Sequence, residues 1–189
     1  MKKIKIYSLF LMLAAVHIVS AQVAIGKTTV SGNSSLLEFG GMTSTGLPTD
    51  TDTGNFRGII LPAVTSSPVF SAVSSSTNHP QNGTFLYSKQ SRTVMMFENG
   101  RWINMTDEGN AASVIPSSGT ETGNGVIIGS AASSAKGVLV LESADKGLVL
   151  PHVKNPQSTV KSPYPGMMCY DTVSNSVAVY DGANWSYWK

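Results

Sequence analysis

Residues able to do chemistry are few in this chain and poorly arranged for it. Beyond the first 21 positions there are two histidines, His79 and His152, and neither has a Cys, His, Asp or Glu at ligand spacing, so neither begins a zinc site. Serine is abundant, yet no G-x-S-x-G element places one on a nucleophile elbow. Gly123-Asn124-Gly125 with Gly129 imitates part of a phosphate loop, but it follows a polar segment and lacks the full G-x-G-x-x-G spacing. Carboxylates and turn residues cluster at Asp50-Thr51-Asp52-Thr53-Gly54-Asn55. Calcium takes oxygen ligands from such loops, which makes Asp50 and Asp52 the calcium candidates; the closing glutamate of a calcium loop is missing, and a solvated turn is the competing reading. Cys169 has no partner in the chain, so no intramolecular disulfide forms, and a small apolar strand residue is its ordinary role. These features predict a protein that is not an enzyme and holds no cofactor.

The aromatic residues offer a different chemistry. Flat rings give large apolar area at low entropy cost, so exposed Trp and Tyr residues suit a sugar or another protein. Trp102 and Trp185, like Tyr87 and Tyr170, stand 83 residues apart, a regularity that points to structural packing. Tyr164 and Trp188 have no such counterpart. With Trp185 they form the candidate ligand or partner surface of the C-terminal part.

The N-terminus supplies the compartment. Lys2, Lys3 and Lys5 precede an apolar run from Ile6 to Val19, and Val19-Ser20-Ala21 offers small residues for cleavage, the pattern of a secretory signal peptide removed before Gln22. Glutamine at that position leaves no sulfur to carry lipid, and no later stretch is long and apolar enough to span a membrane. The formal charge of +2 rests on 13 basic and 11 acidic residues; without Lys2, Lys3 and Lys5 it is −1. Scattered Lys and Arg on a slightly acidic chain argue against nucleic acid as a partner. Four N-x-S/T triplets begin at Asn33, Asn82, Asn104 and Asn184, and they matter where the secreting cell glycosylates them.

Repetition organises the remainder. Gly83, Tyr87, Phe97, Glu98 and Trp102 answer to Gly166, Tyr170, Tyr180, Asp181 and Trp185 at one offset of 83, while Gly58-Ile59-Ile60-Leu61-Pro62 answers to Gly147-Leu148-Val149-Leu150-Pro151 at 89. Six extra residues therefore lie between Pro62 and Gly83 in the first copy, an insertion that a loop absorbs cheaply. Val23-Ala24-Ile25-Gly26 stands beside Val126-Ile127-Ile128-Gly129, and Leu36-Leu37-Glu38 beside Leu139-Val140-Leu141-Glu142 with small shifts. The expected organisation is a signal peptide over 1–21, a first β module over 22–106, a polar linker over 107–124 and a second β module over 125–189.

The expected fold is mainly β: two short repeated modules of antiparallel β-meanders with long loops. Strands are expected at 84–88, 93–98 and 101–105, and again at 166–170, 176–180 and 184–188. Asn99-Gly100 and Asp181-Gly182 turn the chain because these residues tolerate positive φ. GIILP and GLVLP read as short strands closed by proline, and 63–80 resists assignment, with Val69, Phe70 and Val73 hinting at a helical turn among Ser, Thr and proline residues. Each meander is too thin to make a core and leaves strand edges to be covered. Either the two copies pack on each other or identical chains associate, and the second is favoured.

The segments Val23 to Gly26, GIILP and GLVLP, Pro165-Gly166-Met167-Met168-Cys169-Tyr170-Asp171, and Val179-Tyr180-Asp181-Gly182-Ala183-Asn184-Trp185 resemble the modules of secreted Bacteroidetes-type surface proteins and of phage tail-fibre-like shafts. The resemblance covers most of both copies; Lys27 departs from it, standing where a small residue is usual. It implies a non-enzymatic, β-rich fibre or adhesin piece, exported to the cell surface or beyond it, associating as a homo-oligomer with the trimer as the usual form. The alternative is a glycan-binding module using Tyr164, Trp185 and Trp188, with a glycan or surface protein as partner.

Overall fold

The computed structural model describes residues 22–30, 34–42, 48–49, 58–68, 80–116, 125–135 and 137–189. The expected signal peptide, the calcium candidates Asp50 and Asp52, His79, the helical turn near Phe70, and Gly123 and Asn124 of the glycine cluster lie outside them. The chain is mainly β, as its Ser, Thr and aromatic content dictates.

The larger units are two antiparallel meanders. In the first, β7 (Phe85–Ser88), β8 (Thr93–Glu98) and β9 (Arg101–Asn104) pair in sequence order, and β6 (Ala63–Val64) lies parallel to β7. In the second, β14 (Met167–Asp171), β15 (Ser176–Tyr180) and β16 (Trp185–Trp188) repeat that order, with β13 (His152–Val153) parallel to β14. A shift of 83 residues carries the bridges Leu86↔Met95 and Phe97↔Trp102 onto Cys169↔Ala178 and Tyr180↔Trp185. The same shift carries the positive-φ residues Gly83, Arg92 and Asn99 onto Gly166, Asn175 and Gly182. Turn chemistry has set both registers alike. The proline of each GIILP or GLVLP segment ends one strand, and the chain then enters another, β6 or β13, which the sequence did not announce.

Smaller pairs precede each meander. β1 (Val23–Ile25) runs parallel to β2 (Ser35–Phe39), and β10 (Val126–Ile128) parallel to β11 (Leu139–Leu141). The parallel ladders set Glu38 opposite Ala24 but Val140 opposite Ile127, so Glu142, the sequence match to Glu38, stands two places further along. β3 (Gly41–Met42) and β4 (Pro48–Thr49) form a short antiparallel pair. The unexpected Lys27 is accounted for here: its ammonium pairs with the carboxylate of buried Glu38, a charge that would be costly to bury alone. Gly40 leaves room for the Lys27 side chain, since a Cβ there would collide with it.

Two strands cross between the halves. β5 (Ile59–Ile60) leaves the first half and pairs antiparallel with β14, Ile59 opposite Met168 and Ile60 opposite Met167. β12 (Gly147–Val149) leaves the second half and lies parallel to β2. A single turn of helix, α1 (Pro156–Thr159), follows β13 and begins with a proline at its first position, where the missing N–H costs nothing.

The two meanders pack on each other within one chain. Tyr87, Val94 and Met105 of the first meet Met168 and Val179 of the second in one buried cluster. The first half of the expected linker belongs to it: Ala111 and Val114 are buried there, and Asn110 donates its N–H to the Asp181 carbonyl at 3.1 Å. Of the apolar residues in this run, Ala111 and Val114, three apart, turn inward while Ile115 stays exposed. A second, smaller cluster of Val153, Cys169 and Ala178 fills the other face of the second sheet, beside Val160 and Trp185.

Tyr87 joins the two packed sheets by a polar contact, its hydroxyl donating to the Asp181 carbonyl at 3.0 Å. Burial, reinforced by the nearby Asp181 carboxyl, pushes its phenol up to about 12, so it stays a donor at any ordinary pH. Tyr87→Phe is expected to cost about 1 kcal/mol, read as a lower midpoint in urea with an unchanged slope. An unchanged midpoint would mean that the hydroxyl does not tie the sheets together.

Candidate functional site

The second sheet turns two different faces outward from its strands. Side chains alternate along a strand, so Met168, Tyr170, Val177 and Val179 share the face toward the first meander, whereas Cys169, Ala178, Trp185 and Tyr187 share the opposite one. Met168 and Val179 are buried against the first meander, but Tyr170 and Val177 are only partly covered. Leu148, Val149, Leu150 and His152 stand beside them and complete an apolar groove of about 450 Å³. His152 leans against Tyr170 with ring centroids 5.2 Å apart.

The groove has a filled equivalent in the same chain. Its Tyr170, Val177, Leu150 and His152 correspond in position to Tyr87, Val94, Leu61 and Ala63, of which Tyr87 and Val94 are fully buried with Leu61 and Ala63 packed against them. The first set is roofed by the second meander; in the second set Leu150 and Val177 touch the rim of the same cluster, and none of the four is fully buried. Nothing in the individual residues of GLVLP distinguished an open strand from a covered one, so the sequence offered these groove residues only as strand formers.

The three aromatic candidates are not brought together. Trp185 and Trp188 lie on opposite faces of β16. Trp185 is partly buried against the small cluster and stacks at 5.3 Å on Tyr180. Trp188 is 43% exposed, and its indole N–H donates to the Met105 carbonyl at 2.7 Å. Tyr164 donates to the Ser113 carbonyl at 3.3 Å and accepts from the Ile115 amide at 3.4 Å, so it holds down the segment after the first meander. A second, polar cleft of about 660 Å³ runs beside Trp188 and Tyr187, bordered by Thr93, Asn104 and Asp107.

Two ionisable residues in the second sheet are structural in their chemistry. The Asp171 carboxylate accepts from the amides of Asn155, Val173 and Ser174 and from the Ser174 hydroxyl. Burial pushes its carboxyl up, but these hydrogen bonds outweigh it and hold it below the usual range. Ser88 stands at the matching turn of the first meander and accepts only the Ser91 amide, at 3.3 Å. Cys169 is fully buried, and burial, with Asp171 nearby, pushes its thiol up to about 12.

Among the described residues no cluster of three or more His, Cys, Asp or Glu could hold a metal ion, and no helix is long and apolar enough to cross a membrane. Residues 127–189 match the model of a family described as a phage tail like trimerisation region. Among curated proteins and among solved structures, none matches the chain. The matched residues cover the second meander and its groove, so the match supports a tail-fibre-like β module there and a homo-oligomer.

Two outcomes follow from the buried groups. Cys169 is expected to resist a thiol reagent at pH 8 in the native protein and to react stoichiometrically in denaturant; rapid native labelling would contradict its burial. Because the Asp171 carboxyl is held below its unfolded value of about 3.9, its contribution is present above that pH and lost as pH falls through the folded value. Asp171→Asn is expected to lower stability at pH 7 by about 1–3 kcal/mol, and the gap to the parent should close below about pH 4. A gap that stayed constant through acid would rule out this role.

Proposed function

We propose that the protein is an exported, non-enzymatic structural protein of fibre or adhesin type that works as a homotrimer at the cell surface or outside the cell. The observation that carries this is the coincidence of the trimerisation-region match with the apolar groove on the same sheet: the residues of the groove lie within the matched segment, where a second copy has a surface to occupy. The two meanders are read as diverged copies of one module, supported by their common bridge register and the shared places of their positive-φ residues. Export rests on the sequence of residues 1–21, and the absence of any spacing suited to metal or nucleophilic chemistry supports a structural role.

A glycan-binding role is less supported. Trp185 and Trp188 face opposite ways from one strand, and Tyr164 is engaged by Ser113 and Ile115, so the three do not form one platform for a sugar ring.

The full chain, recovered from an exporting host, is expected to begin at Gln22 by N-terminal sequencing and to give the mass of three chains by light scattering across a hundredfold dilution. A monomer at every concentration would refute the trimer, and an intact Met1 on the exported protein would refute the signal peptide.

A further inference from the structure

One contact inside the chain is made on one side and left unmade on the other. β5 of the first half lies along β14 of the second, where the Leu61 amide donates to the Gly166 carbonyl at 3.0 Å. Gly58 permits the approach, because a Cβ there would run into the Met168 carbonyl and the Met167 side chain. Gly166 in turn is buried against Tyr87 and Leu61. The corresponding residues of the reverse contact are Gly147, Leu148 and Leu150 on one side and Gly83, Thr84 and Phe85 on the other.

Of these, Gly147, Leu148 and Gly83 are exposed, while Leu150, Thr84 and Phe85 are partly covered, Leu150 and Phe85 at the edge of the chain's own buried cluster. A Cβ at Gly147 or at Gly83 would meet nothing within 4 Å, and both glycines are exposed. β7 is joined to β6 only at Tyr87 and Ser88, so among the described residues no strand lies along its Thr84–Phe85 edge. β12 has an edge to give: it is the last strand in the order β1-β2-β12, paired with β2 on one side through a ladder that shifts register between Gly147 and Leu148, and among the described residues no strand lies along its other side. The side chains agree in part: Tyr170 and Val177 are only partly buried where Tyr87 and Val94 are fully buried, and Phe85 and Met96, at the rim of the chain's own cluster, keep partly exposed surface to give.

We infer that the missing contact is made between chains: β12 of one copy pairs antiparallel with β7 of the next, Leu148 opposite Phe85 and Val149 opposite Thr84, and the neighbour's Phe85 and Met96 roof the groove at Tyr170 and Val177. The registers are those of Ile59 with Met168 and Ile60 with Met167, transferred by position. Each chain then gives one strand and receives one, a head-to-tail contact that closes into a ring when its rotation allows. The occupant of the groove is a second copy of this chain. This inference rests on the trimeric reading and specifies its interface.

Engineered disulfides separate the two. Thr84 and Val149 would form a pair that is not hydrogen-bonded, with Cα atoms close enough for a disulfide. The full chain carrying Thr84→Cys and Val149→Cys, oxidised under native conditions, is expected to run as a covalent trimer on a non-reducing gel, whereas either single variant runs as one chain. A protein with trimeric mass in solution but no such cross-link overturns the strand exchange and leaves the trimer standing. A cross-link within one chain overturns it too, as does inter-chain cross-linking of Val149→Cys with Met167→Cys in its place. A monomer by light scattering overturns both. Hydrogen exchange of the unmodified protein needs no variant to fold: the Phe85 amide should be protected to within about tenfold of the Met168 amide, and free exchange at Phe85 in a trimer refutes the pairing.

Discussion

Two residues of β5, hydrogen-bonded into a sheet that the chain completes more than a hundred positions later, hold the two halves in their relation. Each meander is a single sheet whose apolar face must be buried against another element, and here each is that element for the other. Pairing β5 with β14 fixes the register between the halves, and the buried cluster of Tyr87, Val94, Met168 and Val179 follows from that register. The Tyr87 hydroxyl and the inward turn of 109–114 then seal the side where the sheets meet. Displacing β5 would expose both apolar faces together.

The meanders were legible because they are written in local chemistry. Asn99-Gly100 and Asp181-Gly182 are turn signals that need no tertiary context, and the strands β8 and β15 occur at the residues their alternation marks. The polar turns between the strands repeat down to their side chains: Ser91 meets Thr93 in the first at 2.9 Å, and Ser174 meets Ser176 in the second at 2.6 Å. The aromatic pair Phe97 and Trp102 occupies the place of Tyr180 and Trp185, each with centroids 5.3 Å apart.

What was not legible is where those pieces go. Three apolar residues between a glycine and a proline specify a short strand but not its neighbour, which is why β5 and β12 share a pattern and take different partners. The segment 107–116 looked loose because burial of Ala111 and Val114 depends on a surface supplied from far along the chain. The candidate aromatics failed to converge for a simpler reason: an odd spacing in a strand sends Trp185 and Trp188 to opposite faces. Lys27, the departure from the expected pattern, finds its reason only beside Glu38.

The long reach of β5 also has a bearing on how the protein comes to be folded. Contacts between residues so distant in sequence form late and slowly, because the entropy of closing the intervening chain must be met before they reward it. β5 and the first meander emerge well before β14, the strand that β5 pairs with, so the meander's apolar face is uncovered and β5 is unmatched in the meantime. During that interval a neighbouring chain is as suitable a partner as the chain's own second half. Assembly and folding therefore draw on the same pairing rules and the same interval, and the rate at which the C-terminal sheet is delivered sets which of the two comes first.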